Sequence, residues 1–229
     1  MNAKWLFSGY EKLNLSGGNV LAMADRLPTG ITVLDRQLDG GIPAGSIILL
    51  RAEAASQSEL FLYELTAARG TLYLTTVRTE QAVQDALSRC GATVGNPTVR
   101  DVSGDAPLDG ANRLVHDLPE SSNLIIDIVD ELERQDRARY RTFFNNLQIH
   151  MMNTGGVAVL HALKGTDVPN RSLSEHMADV VFDLQTNIDG TEVENKLAVP
   201  KFRGGAALDE TIKLQLAEQV DIDTSRDIA

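Results

Sequence analysis

The chain of 229 residues has one cysteine, Cys90, so no disulfide framework can form within it, which fits a reducing cytoplasm. It has no apolar run near the roughly 20 residues that a membrane span requires, and its longest apolar stretches are short, such as 46–50. Its N-terminus lacks a basic segment followed by an apolar block, so a secretory leader is not expected. Positive charge is scarce: 21 Lys and Arg face 32 Asp and Glu, for a net charge of -11 and a pI near 4.8. Such a surface repels a phosphate backbone, so a broad nucleic-acid interface, including recombinase-type DNA binding, is disfavoured. What remains is a composition of 43% hydrophobic and 23% charged positions, enough for one sizeable core and too little for two.

Residues 1–22 differ from the rest. They hold the single tryptophan, Trp5, and a Ser16-Gly17-Gly18 step, whereas Met23 opens a stretch that reads like a protein start. The expectation is an N-terminal extension over 1–22, outside the core or serving as an interaction segment, and one domain over 23–229. From Leu27 onward, short apolar strands alternate with amphipathic helices, the pattern of an α/β domain with a mostly parallel sheet. Helices are predicted at 31–38, 58–69, 80–90, 111–118 and 136–154, and strands at 46–50, 71–75, 98–102, 123–129 and 157–162. Residues 103–110 read as a loop. The segments 180–184, 196–199 and 212–216 read as antiparallel strands closing the sheet, with a turn at Asn187-Ile188-Asp189-Gly190.

The segment Leu27-Pro28-Thr29-Gly30-Ile31, Leu34-Asp35 and Leu38-Asp39-Gly40-Gly41-Ile42-Pro43-Ala44-Gly45-Ser46 resembles the start of KaiC-like and RadA-like ATPases of the RecA superfamily. The likeness extends through most of 27–228, including Val199-Pro200-Lys201-Phe202-Arg203-Gly204, which is similar to the family's lysine-x-arginine-glycine strand. It implies a RecA-like fold: a mostly parallel central sheet, helices on both faces and a C-terminal antiparallel extension. The excess of arginine over lysine, 15 to 6, and of aspartate over glutamate, 19 to 13, resembles proteins of salt-loving archaea.

After its first core strand the family places a phosphate-binding loop. Glycines let backbone N–H groups close on the phosphates, lysine neutralises their charge, and a hydroxyl ligates magnesium. The same register here puts Ala52 and Gln57 at the glycine positions, Ser58 at the lysine and Glu59 at the hydroxyl. Side chains at 52 and 57 hinder positive φ. Glu53 and Glu59 bring negative charge to an anion site, each costing on the order of 3–4 kcal/mol before screening at an effective dielectric near 20. The helix dipole returns only about 1 kcal/mol. Read without the family, the segment is a strand-to-helix connection with Ser56 as N-cap and Glu59 completing a capping box.

Where relatives carry paired glutamates to orient the attacking water, this chain has Val77-Arg78. Asp127 ends the strand matching the family's magnesium-holding aspartate; without the lysine and hydroxyl it reads rather as a satisfied strand-end carboxylate. Asp130, Glu131 and Glu133 read as solvated charges, with no histidine or cysteine at metal-ligand spacing. Arg134, Arg137 and Arg141 fall at i, i+3 and i+7 and are expected to share one helix face. They form either a salt-bridged surface with Glu131 and Glu133 or a patch for an acidic partner. His161 stands at a strand end where relatives place a polar sensor residue, or serves structure alone; His116, His150 and His176 are scattered. Lys201 and Arg203 match the pair that in KaiC-like rings reaches a neighbour's γ-phosphate, and read otherwise as surface ion pairs near Asp209 and Glu210.

The resemblance and its departures together lead to an expected pseudo-ATPase: no catalytic residue, no metal, no cofactor, and a regulatory or partner-binding role. The partner expected is another RecA-type subunit, in a homo- or hetero-oligomer, offered Lys201 and Arg203 as a trans finger. The alternative is a divergent ATPase binding ATP and Mg2+ through a remodelled loop that uses Ser56, Ser58 and Asp127.

Overall fold

Alternation sets the layers. In the strand Ile47–Ala52, Ile48 and Leu50 join one buried cluster while Ile47 and Leu49 join another. This strand is therefore covered on both sides, as a parallel sheet requires. The computed structural model describes residues 25–217 and 219–222; the extension expected at 1–22 lies outside them.

In chain order the elements are β1 (Arg26–Leu27), α1 (Thr32–Gln37), β2 (Ile42–Pro43), β3 (Ile47–Ala52), α2 (Ser58–Leu65), β4 (Thr71–Thr75), α3 (Glu80–Arg89) and β5 (Thr98–Asp101). Then follow α4 (Pro107–His116), β6 (Asn123–Asp127), α5 (Asp130–Glu133), α6 (Arg137–Thr154), β7 (Val157–Leu163) and α7 (Arg171–Met177). The C-terminal part is β8 (Val180–Asp189), β9 (Glu192–Phe202), β10 (Ile212–Leu216) and β11 (Val220–Ile222). The main sheet runs β11-β10-β9-β8-β3-β7-β6-β4-β5. β8, β3, β7, β6, β4 and β5 are mutually parallel, and β9, β10 and β11 alternate in direction beyond them. Helices α1, α2 and α3 pack on one face and α4 to α7 on the other. This is the expected fold: a RecA-like, mostly parallel sheet with helices on both faces and a C-terminal antiparallel extension.

The opening segment has a mechanical role. Asp35 on α1 accepts from the Thr29 backbone N–H and hydroxyl, both at 2.7 Å, and β1 pairs with β2. Gly41, at φ 121, passes so close to the Leu27 carbonyl that a Cβ there would overlap it.

Four expectations need correction. Residues 180–184 do not form a purely antiparallel strand: β8 pairs parallel with β3 and antiparallel with β9, so it joins the two regimes. α4 starts at Pro107 inside the expected loop, because proline at the first helical turn presets φ and lacks only an N–H that would be unpaired anyway. The hairpin turn is Gly190-Thr191, with Asp189 paired to Glu192, two residues later than read. The supposed arginine face is broken, since α5 ends at Glu133 and α6 restarts at Arg137 behind Asp136, whose carboxylate caps Ala138 and Arg139 at 3.0 Å.

Candidate functional site

β3, β4, β6 and β7 all end at the same edge of the sheet, where the connection from β3 to α2 crosses. The register sets Thr75 beside Asp127 and Asp127 beside His161, while Leu50 also faces His161. Tyr73 belongs to the core under α2, so its ring approaches Asp127 from that side.

Asp127 is 5% exposed and accepts three hydrogen bonds: from His161 Nδ1 at 2.7 Å, the Tyr73 hydroxyl at 2.6 Å and an Arg78 terminal nitrogen at 2.9 Å. Burial works to raise its pKa, but the hydrogen bond and charge of His161, then Tyr73 and Arg78, bring it below the ordinary aspartate value. The alternative of a satisfied strand-end carboxylate thus describes its geometry.

Arg78 joins this strand end to α2. Its guanidinium also contacts Glu59 Oε2 at 3.0 Å and the Tyr63 hydroxyl at 3.1 Å, and the Tyr63 hydroxyl donates to Glu59 at 3.2 Å. The loop holding Arg78 is pinned: Thr75 Oγ1 accepts from the Arg78 N–H at 3.1 Å and donates to its carbonyl at 2.8 Å. Burial acts to lower the Arg78 pKa, but the Tyr63 hydrogen bond and the Asp127 and Glu59 charges overcome it and hold the guanidinium firmly cationic. Burial pushes the Tyr63 phenol up to about 12 and, with the Asp127 charge, Tyr73 well above its usual value; both remain neutral donors near neutral pH.

The β3–α2 connection is not the expected capping box. Gln57 is the N-cap and no side chain caps the helix. Ser56 Oγ instead donates to the Glu53 carbonyl at 2.6 Å, closing a turn one residue too early to cap α2. Glu59 is held instead by its ion pair with Arg78 and the hydrogen bond from the Tyr63 hydroxyl. Ala52 is the last residue of β3, and Ser58 is buried at the first turn of α2. Ser56, Ser58, Glu59, Arg78, Asp127 and His161 surround a cleft of about 190 Å³. His161 Nε2 is buried there without a hydrogen-bond partner.

The remaining candidates are dispersed. Asp130 and Glu133 are buried, against expectation, because Arg171 at the start of α7 neutralises both, at 2.9 and 2.8 Å. Ser174 Oγ donates to Glu133 at 2.5 Å. Burial nevertheless raises the Glu133 pKa. Glu131 pairs with Arg134 at 3.4 Å, whereas Arg137 donates to Asn170 and not to Glu133. His116 and His150 stand together, their ring centroids 6.3 Å apart on the far side of the sheet, and His176 lies in α7. Lys201 Nζ donates to the carbonyls of Glu175 and His176 at 2.8 and 2.7 Å, and Arg203 to those of His176 and Met177 at 2.9 and 3.2 Å. Both therefore cap the C-terminus of α7, and the ion pair is with Asp179 at 3.3 Å rather than with Asp209 or Glu210. Sequence reasoning missed Tyr63, Tyr73 and Arg171. The tyrosines lie inside a helix and a strand, outside any motif, and a lone arginine far along the chain gives no pairing signal. Among the described residues no helix is long and apolar enough to cross a membrane, and no group of three or more His, Cys, Asp or Glu could hold a metal.

Comparison with known proteins bears on the fold. No curated protein matches the sequence. Among similar solved structures, a KaiC-like protein from the hyperthermophilic archaeon Pyrococcus horikoshii superposes with a TM-score of 0.68 at 14% identity, covering 86% of this chain and 99% of that one. That likeness supports a KaiC-like RecA fold. The model of a family of unknown function, DUF7125, matches residues 26–229, and the chain belongs to that family.

Proposed function

We propose that this protein is a KaiC-like pseudo-ATPase that has given up nucleotide chemistry and acts by binding a protein partner in a regulatory role. One observation carries the reading: the Arg78 guanidinium bridges Asp127 and Glu59 at 2.9 and 3.0 Å, the two positions where relatives hold magnesium. A fixed cation from the chain itself thus stands where a metal ion and phosphate charge would sit. Asp127, already accepting three hydrogen bonds, has little capacity left for a metal-bound water. The loop supports the same reading, with no ammonium at Ser58 and two carboxylates, Glu53 and Glu59, near the helix start. The cleft, at about 190 Å³, is smaller than the roughly 300–1,000 Å³ typical of small-molecule sites.

The second reading, a divergent ATPase with a remodelled loop, is favoured by the unpartnered His161 Nε2 and by Ser56 and Ser58 lining the same cleft. Titration with a fluorescent ATP analogue and Mg2+ at high salt separates the two. We expect no saturable signal and no phosphate release; micromolar binding that Asp127→Asn abolishes overturns the pseudo-ATPase reading. The trans-finger role of Lys201 and Arg203 belongs to the same proposal, and requires both side chains to leave α7 when a RecA-type partner docks.

A further inference from the structure

α4 leaves the start of β5 uncovered. Gly110 of α4 lies against Val102, just past the end of β5, and both Val102 and its α4 neighbours Leu108 and Ala111 belong to one buried cluster. Thr98 and Arg100 alternate onto the same face as Val102 but remain exposed. There the structure holds a cavity of about 340 Å³, floored by Leu72, which is the cross-strand partner of Thr98, and by Leu114 and Leu118 at the end of α4. That volume falls within the roughly 300–1,000 Å³ of small-molecule sites. It lies at the opposite end of β4 from Thr75, hence away from the Asp127 cluster.

Three polar side chains on its walls are left over by the fold. Arg100 makes one side-chain hydrogen bond among the described residues, from Nη1 to the Val99 carbonyl at 2.7 Å, and no ion pair, in a chain of net charge -11. That bond pins the guanidinium at the sheet edge and leaves its other N–H donors open. Asp117 is the C-cap of α4, so its carboxylate sits at the negative end of the helix dipole, where a cation is preferred. Arg113, one turn earlier, forms no ion pair with it, and Arg100 does not reach it across the cavity. Ser122 is 8% exposed, and its hydroxyl has no hydrogen-bond partner among the described residues.

We propose that this cavity binds a free α-amino acid with a branched apolar side chain. Arg100 takes the carboxylate through its planar fork, with the Ser122 hydroxyl as a further donor. Asp117 and the end of α4 take the ammonium, and Leu72, Leu114 and Leu118 receive the side chain. A zwitterion alone answers both charges: Asp117 opposes a phosphorylated ligand, and a simple amine leaves Arg100 unmatched. The site shares no residue with the β3–α2 cleft, so it stands or falls separately from the proposed loss of nucleotide chemistry.

Isothermal titration calorimetry on the full chain tests it, with L-leucine, 4-methylpentanoate and 3-methylbutylamine as probes. L-leucine is expected to bind saturably, one per chain, with a Kd of about 1 mM or below. The acid lacks the ammonium and the amine lacks the carboxylate, so each should bind about tenfold or more weakly. Arg100→Ala should weaken L-leucine by a similar factor while leaving the amine unaffected, and Asp117→Ala should weaken L-leucine while sparing the acid. Both side chains are exposed, and urea unfolding is expected to show each variant folded. A merely structural role would not separate the probes in this crossed pattern. No saturable heat with L-leucine, an acid or amine that binds as tightly as L-leucine, or variants that bind L-leucine like the wild type each overturns the proposal.

Discussion

Replacing Arg78 by alanine removes one guanidinium that touches three groups, and the structure ranks those contacts. Asp127 is 5% exposed, so its hydrogen bond to Arg78 at 2.9 Å is a charge-assisted contact in a largely dry setting, worth about 1.5–3 kcal/mol. Glu59 is 46% exposed, and its 3.0 Å pair with Arg78 is worth only about 0.2–1 kcal/mol after solvent screening. The Tyr63 hydroxyl adds about 1 kcal/mol. Freeing the half-buried guanidinium returns part of this, so the net loss is expected at about 2–4 kcal/mol, a sizeable part of the roughly 5–15 kcal/mol of a typical domain. Urea unfolding of Arg78→Ala, Asp127→Asn, Glu59→Gln and the two double variants separates the terms through coupling energies. The coupling of Arg78 to Asp127 should exceed its coupling to Glu59 by about 1 kcal/mol or more. If Glu59 couples as strongly as Asp127, Arg78 is not the counter-ion of the strand-end aspartate and the case for a plugged site fails.

Other outcomes follow from the same geometry. Asp127 is held below its unfolded value, so its contribution to stability is present above about pH 4 and lost as the pH falls through the folded value; Asp127→Asn should flatten the acid limb of a stability–pH curve. Glu133 is shifted the opposite way, so its contribution is present in acid and lost as the pH rises through the folded value; Glu133→Gln should remove that decline. Arg171→Ala strands two buried carboxylates and should cost about 3–5 kcal/mol in chemical denaturation near neutral pH, less in acid. Asp136→Ala removes the cap of α6, with an expected loss of about 1 kcal/mol and a Tm lower by about 2–4 °C in calorimetry. Lys201→Ala with Arg203→Ala should destabilise the isolated chain by about 0.5–2 kcal/mol through the exposed end of α7; an unchanged melting curve would mean that these side chains do not hold α7 in solution.

The parallel core was legible because its strands are continuous apolar runs, such as Ile47 to Leu50 and Leu124 to Ile126, that only a sheet covered on both faces buries. The motif from Thr29 to Gly45 was legible because Asp35 and Gly41 answer to local constraints visible in a few residues. The cluster around Asp127 was only half visible. Its aspartate and histidine stood out at strand ends, but Arg78 was read as a missing glutamate rather than as a cation in its own right. Its partners are 19 and 49 residues away, and no local pattern announces them. The same distance hid Arg171, which lies 38 residues from Glu133 and turns two carboxylates that look solvated into buried ones. β8 was misassigned in direction because its residues 180–184 read the same whichever way a neighbour runs.

β3 takes its two neighbours from β7 and β8, which begin at residues 157 and 180, more than a hundred positions downstream. Until that stretch has left the ribosome, a strand that opens with four consecutive apolar residues has both edges bare, and only late, long-range closure covers it. Synthesis of this protein therefore passes through a prolonged sticky interval, and truncations ending before residue 157 should be recovered as aggregates rather than as smaller folded units.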